Sequence, residues 1–278
     1  MVKRLKIKVP VNTRLALSGV LVLAILLTAL FGRFFINHDA YAVDMNNAFI
    51  HPCKAYLFGT DNLGRCVLCR IIEGANLSIF ISMTVTAISL FVGMIVGTAA
   101  GFIGGFADYV LMKLILVFQV FPSFVLAIAI GAMLGSGILN TVLALVAVYF
   151  TTYARLARSM VLSYKNDNYI KAARLYGTGN LSLLFKYIMP GTFGTMAVTA
   201  ALDTGNVILS ISALSFIGLG APRPTAEWGA VMNEASAYFQ SAPWIIIFNG
   251  LALFFVVTTF NFFGDSLRDR LDSKREIK

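Results

Sequence analysis

As a helix, an apolar run of about 20 residues crosses the hydrocarbon core of a bilayer. This sequence has six runs of that order, near 15–36, 77–100, 109–134, 138–155, 191–219 and 244–263. Lipid offers no hydrogen-bond partner to the backbone, so each run must satisfy its own peptide groups as a helix. The reading is an all-α integral membrane protein with six transmembrane helices. Composition agrees: 58% of residues are hydrophobic and 13% charged, too apolar for a soluble domain. The first run is long for a signal peptide and has no small-x-small site after it, so it is expected to stay as a helix.

A net charge of +9 would suggest nucleic acid in a soluble protein, but the cations are distributed as a membrane dictates. Lys3, Arg4, Lys6, Lys8 and Arg14 precede the first run. Lys113 stands near the start of the third, Arg155 ends the fourth, Arg158, Lys165, Lys171, Arg174 and Lys186 follow it, and Arg268, Arg270, Lys274, Arg275 and Lys278 follow the sixth. Only Arg33, Lys54, Arg65, Arg70 and Arg223 fall in the intervening segments of the other side. The positive-inside asymmetry places both termini in the cytoplasm. The divisions are then a basic tail 1–14, a first span 15–36, an external segment 37–76, a five-span core 77–264 and a cytoplasmic tail 265–278. No nucleic-acid motif competes with this.

Between the fourth and fifth spans, residues 165–190 are polar and basic, and read as two short helices on the membrane surface. Asp167 is placed to cap the first and Gly177 to end it in a left-handed turn. Asn180 is placed to cap a second, 181–187, which Pro190 ends. Lys171, Ala172, Ala173, Gly177, Ile188, Met189 and Pro190 fall in a pattern that resembles the cytoplasmic coupling loop of ABC importer permeases. Lys171 stands where that family has a glutamate. The resemblance implies docking of this helix pair, with Tyr169, Lys171, Ala172, Ala173, Gly177, Leu181, Phe185 and Pro190, into a groove on an ATPase. Physically, an amphipathic pair that only anchors the chain at the interface would read the same way.

Two further signatures resemble the peptide and nickel class of these permeases. In 57–79, Gly59, Thr60, Asp61, Gly64, Arg65, Arg70, Gly74 and Ser78 match, with Cys66 and Cys69 in place of Asp and Ser. Gly59 and Gly64 permit tight turns, and Asp61 and Arg65 can pair. In 213–239, Ser215, Phe216, Gly218, Gly220, Pro224, Glu227, Trp228 and Gly229 match, in a form similar to nickel-importer permeases. Asp61, Arg65, Glu227 and Trp228 are candidates for an external gate or substrate-receiving loop; an ordered loop without ligand contact is the alternative. His51, Cys53, Cys66 and Cys69 have spacings that chelate soft metals, and a disulfide or plain thiols explain them equally.

Within the spans, Gly93, Gly97, Gly101, Gly104 and Gly105 read as a close-packing face, Pro122 as a kink, and Arg155 and Arg158 as interfacial anchors. An ionised carboxylate at the membrane centre costs about 2.5–3.5 kcal/mol on insertion scales. Asp203, with Asn206 beside it, is therefore a pathway candidate or a buried packing group.

The sequence has no phosphate-binding loop of the G-x-x-x-x-G-K-[ST] type, so ATP and Mg would be bound by partner subunits and no cofactor by this chain. No catalytic constellation is legible, and an enzyme is not expected. The resemblance implies a bacterial inner-membrane permease paired with a homologous second permease, two ATP-binding subunits and an external substrate-binding protein. Nickel or a nickel chelate is the leading substrate, di- or oligopeptides the alternative, and an ATP-independent channel or facilitator the rival of another class.

Overall fold

The computed structural model describes residues 10–36 and 38–276. Most of the N-terminal tail, including Lys3, Arg4, Lys6 and Lys8, lies outside the described residues, as do Asn37 and Lys278. The side chains of Leu181 and of residues 272–276 also lie outside them.

The regular elements of the described chain are helices, with α1 (Val11–Phe31), α2 (Val67–Ile103), α3 (Gly105–Val120), α4 (Ser123–Leu134), α5 (Ile138–Lys165), α6 (Asn168–Leu175), α7 (Asn180–Ser182), α8 (Met189–Phe216), α9 (Trp228–Ser236) and α10 (Pro243–Glu276). Among the described residues, five helices are long and apolar enough to cross a membrane, or six spans exist if the bent pair α3 and α4 counts as one. The pair is bent by 93°, far beyond the kink expected at Pro122. Steric conflict with a following proline drives a residue out of the helical region, and Phe121 is accordingly extended at φ −86° and ψ 143°.

Helix lengths depart from the apolar runs. At 37 residues α2 begins well before residue 77 and, at 1.5 Å per residue, spans about 55 Å, so it outreaches a hydrocarbon core of about 30 Å. The end of the expected external segment is thus its first turns. Likewise α5 continues past Arg155 to Lys165, and α10 carries the expected C-terminal tail as helix to Glu276. Hydropathy marks where lipid is; backbone hydrogen bonding continues into water.

Two parallel helices, α2 and α5, make the closest contact. A Cβ on Gly93 would lie 2.5 Å from Tyr153 Cβ, one on Gly97 would collide with the Ala154 carbonyl oxygen, and one on Gly101 would lie 3.1 Å from the Arg158 carbonyl oxygen. Small residues four apart thus let the backbones approach. Gly104 and Gly105 differ: both have positive φ and open space around them, and they form the turn into α3. The glycine run is therefore a packing face followed by a turn. Val85, Leu145, Val148, Val207 and Leu214 join α2, α5 and α8 in one core, and Val22, Ile79, Ile208, Trp228 and Phe260 tie α1 and α10 to α2, α8 and α9 in another.

The irregular segments gather at opposite ends of the bundle. One end carries 38–66 and 217–242, linked where Arg65 pairs with Glu234 at 2.6 Å and anchored to α2 where Trp228 Nε1 donates to the Ile71 carbonyl at 3.0 Å. At the other, Lys165 Nζ donates to the Phe102 carbonyl at 3.0 Å, a cation at the C-terminus of α2 where the helix dipole favours it.

Candidate functional site

At the 166–188 end, α6 and α7 form a helical pair beyond the long helices. Asp167 occupies the N-cap position of α6 but its side chain makes no capping bond. Gly177 ends the helix at φ +81°; its N–H donates to the Arg174 carbonyl at 3.0 Å and that of Thr178 to the Ala173 carbonyl at 3.1 Å. These two bonds form a Schellman closure. No atom lies within 4 Å of the position a Cβ would take there, so glycine is required by backbone conformation and not by space.

The second half differs from expectation. Asn180 is the first residue of α7, not its cap, and Pro190 does not end the run. Leu183–Ile188 widen into a π-type stretch that leads directly into α8, with the Met189 N–H donating to the Leu184 carbonyl. Proline lacks a donor and clashes with the carbonyl four residues back. Widening the turn next to it keeps the helix continuous, which joins the surface pair rigidly to the α8 span.

The pair has two faces. Val161, Ile170, Ala173, Leu183 and Ile188 pack against one another. Tyr169, Lys171, Ala172, Leu175, Tyr176 and Phe185 are exposed, with Leu175 and Tyr176 about nine-tenths exposed at 89% and 91%. The two alanines therefore divide, Ala173 inward and Ala172 outward. Partial desolvation and the nearby Asp167 and Tyr164 raise the Tyr169 phenol above its ordinary value.

At the 38–66 end, Asp61 Oδ1 accepts from the backbone N–H groups of Leu63 and Arg65 at 2.9 Å, and Asp61 Oδ2 from Arg65 Nε at 2.6 Å. Arg65 and Arg70 both reach Glu234 Oε2, at 2.6 and 3.2 Å. Arg70 is fully buried, and its Nε lies 3.8 Å from Asp61. Glu227 is fully buried too; its carboxyl accepts from Ser78 and Ser212 hydroxyls at 3.2 and 3.0 Å and from the Ala230 N–H at 3.0 Å. Asp61, Arg65, Glu227 and Trp228 are all at most 3% exposed, so in this conformation they bind the loops to α2 and α9 instead of facing a solute. Glu234, which closes the network, was not singled out by sequence: it is not one of the matched positions of 213–239, and only folding brings it to Arg65 and Arg70.

The metal-ligand set is not brought together. The His51 ring packs on Trp244 at 4.4 Å, Cys53 is exposed, and Cys66 and Cys69 are buried side by side. Among the described residues, no group of three or more His, Cys, Asp or Glu side chains is disposed to hold a metal ion.

Inside the bundle, Asp203, Asn206 and Ser210 follow one another along one face of α8. The Tyr149 hydroxyl lies 3.2 Å from Ser210 Oγ, Asp203 Oδ2 and the Tyr153 hydroxyl are buried, and Asn206 is exposed. Arg158, expected to snorkel, instead forms a two-pronged pair with Asp108, Nη2 to Oδ2 being 2.6 Å. Asp108 was legible as a charge, but its partner lies 50 residues away on α5, a pairing that sequence does not resolve.

Residues 89–277 match the family described as binding-protein-dependent transport system inner membrane component. The chain is 35% identical over 92% of its length to a probable D,D-dipeptide transport system permease protein of Escherichia coli, covering 86% of that protein. It is 34% identical over 94% of both chains to the nickel transport system permease protein of Escherichia coli. To a di/tripeptide transport system permease protein of Pseudomonas aeruginosa it is 41% identical over 79% of this chain and 72% of that one. With an all-α multi-pass fold and a helical pair outside its spans, the chain belongs to this family, and is a membrane permease subunit, not an enzyme, of an ABC importer of the peptide and nickel class.

Proposed function

We propose that this permease forms half of the translocation pathway for di- or oligopeptides in the inner membrane of a bacterium. A homologous permease would supply the other half, two ATPases with bound ATP and Mg the energy, and an external binding protein the substrate. The observation that carries the peptide reading is the relatives: permeases named for D,D-dipeptides, di/tripeptides, dipeptides and glutathione align with most of the chain. Nickel remains the second reading, favoured by a nickel permease aligned over 94% of both chains. The ligand set that made a metal attractive is, however, dispersed among the described residues.

Coupling to ATP is assigned to the outward face of α6 and the π-type stretch. Tyr169, Leu175, Tyr176 and Phe185 expose apolar surface there, rimmed by Lys171, Arg174 and Lys186. Apolar surface with a charged rim is what a partner groove takes up. The same cations favour a cytoplasmic location for this end. Closure of the ATPases would move α6, and the unbroken passage through Pro190 would carry that motion into α8 and its polar face of Asp203 and Asn206.

The test is uptake of a labelled dipeptide and of radioactive nickel by cells with and without the gene, each with and without ATP depletion. Loss of ATP-dependent dipeptide uptake is expected. Loss of nickel uptake alone would move the chain to the nickel branch, and uptake indifferent to ATP depletion would overturn the coupling.

A further inference from the structure

Nothing in the transport reading uses the cysteines at the start of α2. Cys66 is the N-cap of that helix, its Sγ accepting from the Cys69 N–H at 3.3 Å, and the Cys69 thiol donates to it at 2.6 Å. Both are buried, packed under Ile36, Ala40, Tyr56 and Leu68. Ile36 and Ala40 also line an adjoining open pocket of about 430 Å³, so only a thin layer separates the sulfurs from solvent. With the two sulfurs already in contact, little movement separates this pair from a bonded S–S distance of about 2 Å.

We propose that Cys66 and Cys69 form a reversible dithiol–disulfide site at the mouth of the permease. The oxidant is a small-molecule or protein disulfide. The Cys66 thiolate attacks one of its sulfurs and expels the other as a thiolate, giving a mixed disulfide. Cys69 then loses its proton and attacks Cys66 Sγ, closing the intramolecular bond and expelling the second thiolate. Two thiols of the protein are oxidised and one external disulfide is reduced to two thiols. Cys66 is the attacking group because the bond from the Cys69 thiol, with the backbone N–H groups of the helix start, holds it well below the ordinary thiol value. The bond would fasten the turn containing Asp61 and Arg65, which pairs with Cys66 through Thr60, to α2. In the cell the site rests on the proposed orientation, which puts this end in the oxidising compartment.

The full chain in membranes, in a Cys53→Ser background, is treated with cystamine or with dithiothreitol, quenched in acid, denatured and alkylated with a maleimide. The reduced sample is expected to take two maleimides and the oxidised one none, with dithiothreitol restoring two. Two maleimides after cystamine would overturn the proposal. In Cys69→Ser the reaction should stop with one cysteamine on Cys66, whereas Cys66→Ser should react at least tenfold more slowly; equal rates would overturn the assignment of Cys66 as nucleophile. Orientation is read separately, from labelling of Cys53 by a membrane-impermeant maleimide in right-side-out vesicles of the Cys66→Ser/Cys69→Ser chain. Failure of that reading therefore cannot be mistaken for failure of the thiol chemistry.

Discussion

Gly177 shows how a single residue's need can be backbone conformation alone. With φ at +81° and open space around it, a side chain there meets no neighbour, and the left-handed conformation costs a non-glycine residue about 1–2 kcal/mol. Gly177→Val should therefore accumulate in the membrane like the parent, yet lose ATP-dependent uptake because α6 no longer ends where its partner expects. Normal uptake by an inserted Gly177→Val chain would show that this turn does not couple. Glu227 is the converse, a side chain defined wholly by its partners, three donors at 3.0–3.2 Å. Glu227→Ala leaves the Ser78 and Ser212 hydroxyls and the Ala230 N–H without their acceptor and should destabilise the protein by about 1–3 kcal/mol. The midpoint of thermal unfolding in detergent reports it, and an unchanged midpoint would mean the carboxyl is not held as described. Sequence spacing revealed Gly177 because a helix stop is a local event. It could not reveal the burial of Glu227, whose partners come from α2 and α8.

Between elements, the α2–α5 contact depends on glycine. A leucine at Gly97 must push the Ala154 backbone away, and overpacking of this kind costs about 1–3 kcal/mol. Gly97→Leu is expected to lower the unfolding midpoint in detergent, while Gly104→Ala, in open space, should act only through its positive φ. The Asp61, Arg65, Arg70 and Glu234 network joins the 38–66 segment to α2 and α9. Removing Glu234 leaves the fully buried Arg70 with only the 3.8 Å approach of Asp61, and stripping a partner from a buried ion pair costs about 3–5 kcal/mol. Glu234→Ala should fall to low steady-state levels, measured by immunoblot of membranes; wild-type levels would place the network outside the folded core. The i, i+4 spacing of Asp61 and Arg65 was readable in the sequence. Glu234, more than 160 residues away, was not.

For the whole molecule, a polar α8 face and an exposed helical pair are surfaces that a lone chain leaves uncovered. Co-expression with the second permease and the ATPases of the same importer should raise the level of this chain severalfold over expression alone, and a level independent of partners would argue against a shared pathway along α8. The sequence by itself determined the class: apolar runs of span length, cations gathered on one side and a glycine-stopped polar interval are local or additive properties that survive without coordinates. Tertiary structure decided the rest. It broke the third run at Phe121 and Pro122, carried α7 through Pro190 into α8 by widening one turn, buried the residues expected to receive substrate, separated His51 and Cys53 from the paired thiols, and matched Arg158 to Asp108. Each of these depends on which distant atoms meet, because the cost of a buried charge, a proline in a helix or a crowded glycine is set by neighbours that sequence order does not name.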